Sequence, residues 1–202
     1  MRPEKLHTFS GVHLHYEIDT CEKAARLLST TPSGHPLNNF LVESYALHLR
    51  SLIDFLYWKP KQDDVNAIQF VKSEGKWLAE RGAKPPKVLS EARTRADKQI
   101  VHLTKKRFAD GAPEKNWKPG IEIAVLVDGL RLFLAHADPD RLHPVVAEAV
   151  ARLATLVPAE IKEPSPGVVI SPPLETLSLP TKKGTDVSTT APIRAFGDEP
   201  PR

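Results

Sequence analysis

The sequence predicts an all-α protein, a bundle of about five helices followed by a proline-rich, disordered C-terminal tail. Two observations carry this expectation. Apolar residues recur at helical spacing through residues 1–157, and no strand pattern competes: "IEIAVLV" runs on through "DGLRLFLAHA" as one long helical pattern. Of the 19 prolines, nine fall between Pro158 and Pro201, a stretch poor in large apolar side chains. Such a stretch buries too little surface to offset its ordering entropy. Residues 1–157 are therefore expected to form one helical-bundle domain with one core, and residues 158–202 a disordered tail.

The elements follow in order. The first dozen residues read as irregular, with a turn at Ser10-Gly11. A first helix is expected from about Tyr16 to Leu28, ended by Pro32, Gly34 and Pro36 in "STTPSGHP". A second starts near Leu37 or Asn38 and ends at Trp58 or Lys59, because Pro60 disfavours helix in the residue before it. Its apolar arc of Leu41, Val42, Tyr45, Leu49, Leu52, Ile53 and Leu56 is wide, as suits a helix touched on most sides. Asp63 and Asp64 then read as caps of a short helical segment. "KSEGKWLAERGAKPP" reads as loose, with turns at Gly75, Gly82 and Pro85-Pro86. A third long helix is expected from about Pro86 to about Arg107, with proline tolerated in the first turn. After the loop "DGAPEKNWKPG" come a nearly all-apolar fourth helix, Ile121 to Ala137, and a fifth, Arg141 to Leu156.

Composition narrows the function classes. The chain has 28 Lys and Arg against 25 Asp and Glu, a net charge of +3. The tail holds 5 basic and 6 acidic residues, leaving 23 and 19 in the body, a net of +4. That alone demands no anionic partner. Lys76 to Arg107, however, holds 10 basic against 3 acidic residues, a local +7 that suits either a polyanion or a solvated helix face. Cys21 is the only cysteine, which excludes an intramolecular disulfide and a cysteine-based metal cluster. No run of 18 apolar residues spans a bilayer, and "MRPEKLHTFSGVHLHYEID" lacks the apolar core of a signal peptide. A cytoplasmic protein with no membrane association is the expectation. "HLH" at His13 to His15, near His7, lacks a fourth ligand, so no metal is expected; nor is any cofactor, there being no phosphate-cradling glycine loop or nucleophile elbow. "PSPGVVISPP" in the tail reads as a spacer.

Chemistry is concentrated on two helices. In "ESYALHLRSLIDFLYWKP", Glu43, Arg50, Asp54 and Tyr57 share one face, all within about 40° of Arg50. This strip is either a solvent stripe with an i,i+4 Arg–Asp pair or a functional face turned to the third helix or a dimer mate. In "EARTRADKQIVHLTKKR", Arg95 and His102 are seven apart and nearly aligned, flanked by Gln99 and Lys106. Histidine moves protons near neutrality and arginine clamps phosphate. Together they suit metal-independent RNA cleavage, with His102 assisting the 2′-hydroxyl or the leaving oxygen and Arg95 stabilising charge on the phosphate. The plainer alternative is a structural histidine bonded to a backbone carbonyl or to Glu43.

"LVESYALHLRSLIDFLY" followed by "RADKQIVHLTKKR" resembles a group of small bacterial helical proteins and, more loosely, the HEPN (higher eukaryotes and prokaryotes nucleotide-binding) superfamily. That resemblance covers roughly Leu37 to Leu156. It implies a helical bundle, commonly dimeric, whose catalytic members are metal-independent ribonucleases of toxin and defence systems; other members only bind partners or nucleotides. The superfamily motif is an arginine, four to six residues, then histidine, and Arg95 and His102 meet its loosest form. Ala96 stands where a polar residue often follows the arginine. The leading expectation is an RNA-directed ribonuclease with Arg95 and His102 catalytic and Glu43, Arg50, Asp54, Gln99 and Lys106 positioning or binding. The alternatives are a non-catalytic binding or antitoxin-like interaction module and a structural oligomeric helical protein. The partners expected are RNA or a nucleotide, a second copy of the chain, or an antitoxin-like protein.

Overall fold

The computed structural model describes residues 1–59, 61, 63–101 and 117–157, the side chains of Gln99 and Val101 aside. The described chain is an all-α bundle: α1 (Pro3–Phe9), α2 (His15–Thr30), α3 (Asn38–Tyr57), α4 (Glu74–Arg81), α5 (Lys87–Ala96), α6 (Pro119–His136) and α7 (Val145–Ala154). Wider π turns occupy Ser10–Leu14 and Asp97–Val101, and a 3-10 turn occupies Ala67–Phe70. The only extended pairing among the described residues is an isolated antiparallel bridge between Val71 and Ala137. The expected tail, residues 158–202, lies outside the described residues.

The start of the chain departs from expectation: it is helical from Pro3, not irregular. Pro3 supplies a preset φ at the first helical position, and Glu4 sits in the first turn, where the helix dipole favours an anion. Ser10-Gly11 is not a turn either. Ser10 donates its hydroxyl to the His7 carbonyl and accepts the His143 amide, both at 2.9 Å. Gly11 makes room for the same residue, since a Cβ there would sit 3.0 Å from the His143 ring. The π turn thus carries α1 into α2 and seats the start of the α7 segment.

Helix α3 keeps its expected bounds. Asn38 donates to the Pro32 carbonyl at 2.9 Å, and Trp58 leaves helical dihedrals two residues before Pro60. Its inner face buries Val42, Tyr45, Ala46, Leu49, Leu52, Ile53, Phe55 and Leu56. Below it, Phe55, Phe70, Trp77 and Phe133 form an aromatic cluster with centroids 5.2–6.2 Å apart. Helix α4, expected to be loose, is capped by Ser73, which accepts the Lys76 amide at 3.5 Å, and stops at Gly82 with φ 80°. Trp77 anchors it in that cluster. The 3-10 turn is preceded by Asn66; Asp64 instead accepts the Lys61 amide at 2.8 Å. Helix α6 begins two residues earlier than expected, with Pro119 in its first turn. Helix α7 begins four residues later, after Pro144.

Candidate functional site

Arg50 and Asp54 lie one turn apart on α3, and Arg93 and Asp97 lie one turn apart on the α5 segment facing it. The four side chains close into a ring. Arg50 donates to Asp97 at 2.5 Å, Arg93 donates to Asp97 at 2.7 Å and to Asp54 at 2.5 Å, and Arg50 approaches Asp54 at 3.7 Å. Each arginine touches both carboxylates, so the ring is electrically neutral. Its members are 19–30% exposed, half-withdrawn from water. Burial depresses the Arg93 pKa, but Asp54 and Asp97 outweigh it and raise the value overall. Arg93 also stacks on Trp58, 4.0 Å from the ring centroid. The arrangement clamps α3 to α5.

Arg95 enters a second network. Its guanidinium donates to Glu122 at 2.9 Å, and the Tyr45 hydroxyl donates to the other Glu122 oxygen at 2.9 Å. The Glu122 side chain is 3% exposed and that of Arg95 14%. Trp117 covers the pair, its ring centroid 5.1 Å from the Arg95 guanidinium and 6.0 Å from Tyr45. Burial raises the Glu122 pKa against the opposing pull of Tyr45 and Arg95. Burial likewise pushes the Tyr45 hydroxyl well up, with the Glu122 charge adding to it.

The expected site residues therefore fall into separate places. Arg50 and Asp54 join each other through α5, and Arg95 turns to α6. Glu43 is exposed, away from both networks. Gln99 has its backbone in the π turn, and its side chain lies outside the described residues, as do His102 and Lys106. The alignment of Arg95 with position 102 assumed about 100° per residue throughout; the π turn Asp97–Val101 takes up an extra residue per turn and does not keep that step. A surface hollow of about 470 Å³ lies along the first helical run, lined by Met1, Glu4, Lys5, Thr8, Phe9, Val12 and His13. None of the expected site residues borders it.

Sequence reasoning missed Arg93, Asp97, Glu122 and Tyr45. Two signals were available: Arg93 and Asp97 are an i,i+4 pair, and Glu122 is a lone carboxylate at the head of a nearly all-apolar helix, where only a buried cation would hold it.

The outer face of α3 is the remaining feature. Phe40, Leu47 and Trp58 fall within about 20° of one another round the helix and are 69%, 42% and 38% exposed. Leu37 at the N-cap is 54% exposed. They lie roughly opposite the buried Leu49 and Leu56. Ser44 and Ser51 flank the line on one side, Glu43 and Arg50 on the other. Tyr16 from α2 edges it, its ring 5.4 Å from His48.

Among the described residues no three His, Cys, Asp or Glu side chains converge to hold a metal, and no helix is long and apolar enough to cross a membrane. Compared with family models, curated proteins and solved structures, the chain matches none. Fold and networks together define a helical bundle whose charges lock helices to one another.

Proposed function

We propose that the chain is a non-catalytic helical interaction module, acting in the cytoplasm and binding a protein through the outer face of α3. One observation carries this reading. Helix α3 turns Arg50 and Asp54 inward to α5 and leaves Phe40, Leu47 and Trp58 exposed in one line. Such a stripe suits a protein surface better than RNA or a nucleotide, whose affinity comes from cations on phosphate. The test places a photo-reactive residue at Phe40 or Leu47 in the full chain, with exposed Glu91 as the control position. Discrete adducts are expected from the two α3 positions and not from Glu91. Adducts equally frequent from Glu91, or none from α3, would remove the reading.

A second reading, a HEPN-like metal-independent ribonuclease using Arg95 and His102, draws support from the basic segment, where Lys76, Lys84 and Lys87 are exposed, and from the π turn after Arg95, a feature frequent at functional sites. RNA cleavage in EDTA that disappears in a folded His102→Ala variant would establish it and displace the first.

A further inference from the structure

We infer that the partner on the outer face of α3 is a second copy of the same chain, its α3 running antiparallel across a two-fold axis at Leu47. This rests on the interaction-module reading above and names its occupant.

Three features of the stripe are self-complementary. An axis through Leu47 sets that leucine against itself and brings Glu43 of one copy beside Arg50 of the other, and Ser44 beside Ser51 on the opposite flank. Glu43 is exposed and outside both ion networks, while Arg50 keeps 30% of its side chain in water. Two symmetric ion pairs would therefore form; in a parallel pairing each charged flank would instead face the Ser44–Ser51 flank of the other copy and no ion pair would form. Ser44 and Ser51 are small and flank Leu47 about one turn away on either side, so the helices can approach closely at the axis. Farther out, Phe40 of each copy reaches the Asp54–Trp58 end of the other, where Arg93 already backs the Trp58 ring.

The area lies at the lower edge of what a specific dimer buries. Taking about 200 Å² for each large side chain, the exposed fractions of Tyr16, Leu37, Phe40, Leu47 and Trp58 amount to roughly 500 Å² per copy. Two copies together approach the lower range of specific interfaces, about 1,200 Å², before half-buried Ser44, His48 and Ser51 are counted.

The test uses the purified full chain. Sedimentation velocity is expected to find a dimer whose dissociation constant rises at least about tenfold, 1.4 kcal/mol, in Leu47→Asp, which sets two carboxylates at the axis while helicity by circular dichroism stays unchanged. Register is read by cysteine cross-linking. A mixture of Ser44→Cys and Ser51→Cys chains is expected to form disulfide-linked dimers, and neither variant alone. Cys21 is fully buried and does not compete. A chain that stays monomeric at every concentration, or cross-linking of Ser44→Cys with itself, overturns the proposal. If photo-adducts at Phe40 contain a different protein while the purified chain is monomeric, self-pairing falls and the interaction module stands. If Phe40 gives no adducts, both fall.

Discussion

Arg95 is the residue on which the catalytic and scaffold readings part most sharply, and its pairing with Glu122 makes a quantitative prediction. Arg95→Met keeps an apolar side chain of similar reach against Trp117 but removes the cation. The Glu122 carboxylate, 3% exposed, then keeps the Tyr45 hydroxyl and the Lys118 backbone but loses its counter-ion. Removing one member of a buried pair costs about 3–5 kcal/mol, a large share of the ~5–15 kcal/mol that holds an ordinary domain together. In Arg95→Met/Glu122→Gln the carboxamide still accepts from Tyr45 and no charge is stranded. Its stability should return to within about 1 kcal/mol of the original chain. The sign with pH follows from linkage. Burial raises the folded Glu122 pKa above its ordinary 4.5, and loss of the nearby cation raises it further. A raised carboxylate contributes stability that is fully present below pH 4.5 and is lost as pH climbs through the folded value. The Arg95→Met penalty should therefore be small at pH 4 and grow toward pH 7, by up to about 1.4 kcal/mol per pH unit. Urea denaturation at several pH values measures it. A penalty that is flat with pH, or one that the double substitution leaves intact, would refute the counter-ion role of Arg95.

Three further outcomes follow from the packing. Arg93→Ala should be the most damaging single change in the ring, about 2 kcal/mol in urea midpoint analysis, because Arg93 bonds Asp54 and Asp97 and stacks on Trp58; Lys87→Ala, in an exposed pair at 3.8 Å, should be neutral. Gly11→Ala should lower the thermal midpoint despite the ~1 kcal/mol that alanine gains over glycine in a helix, since the new methyl would meet the His143 ring at 3.0 Å and that residue is held by Ser10. The Cys21 thiol, buried and pushed well up from its ordinary value by desolvation, should react with a thiol reagent only after denaturation; prompt reaction in the native state would contradict its placement.

Much of the fold was legible because it rests on local signals. Pro60 and the wide apolar arc of α3 mark that helix in the sequence alone. Helix α4 was legible in principle, from Ser73 before Glu74 and from Gly82 after Arg81, but Gly75 drew attention as a breaker and the apolar run Trp77-Leu78-Ala79 is too short to show a helical period. Its anchoring comes from Phe133, distant in sequence, and no local pattern reports that. The π turns were hidden for a similar reason. Gly11 looks like a turn until His143 is known to lie against it, and Asp97 looks like an ordinary helical residue until Arg50 is seen across the helix pair. The candidate site was half legible. Arg50 and Asp54 do face the third helix, as the narrow charged strip suggested, but their partners Arg93 and Asp97 were chosen by the packing of α3 on α5.

The arrangement of α3 inverts the usual logic of a surface helix. An amphipathic helix turns apolar residues to the core and charges to water; α3 buries one apolar face, half-buries Arg50 and Asp54 against α5, and leaves a second apolar line outside. The ring explains the inversion. Arg50 and Asp54 are already desolvated by Arg93 and Asp97, so further covering of that flank removes little additional hydration from a neutral, mutually bonded set. Burying Phe40 and Leu47 beside it gains the full apolar transfer, about 25 cal/mol per Å². A flank whose Arg50 and Asp54 are pre-paired and whose neighbours are greasy is therefore cheaper to cover than an ordinary charged surface, Glu43 being the one charge there without such a partner among the described residues. That asymmetry gives the ion ring a second consequence beyond holding α5: it lowers the desolvation cost of docking on α3. Asp97→Asn should accordingly weaken self-association as well as stability, although Asp97 lies off the exposed line; a variant that loses stability while keeping an unchanged dissociation constant would separate the two roles.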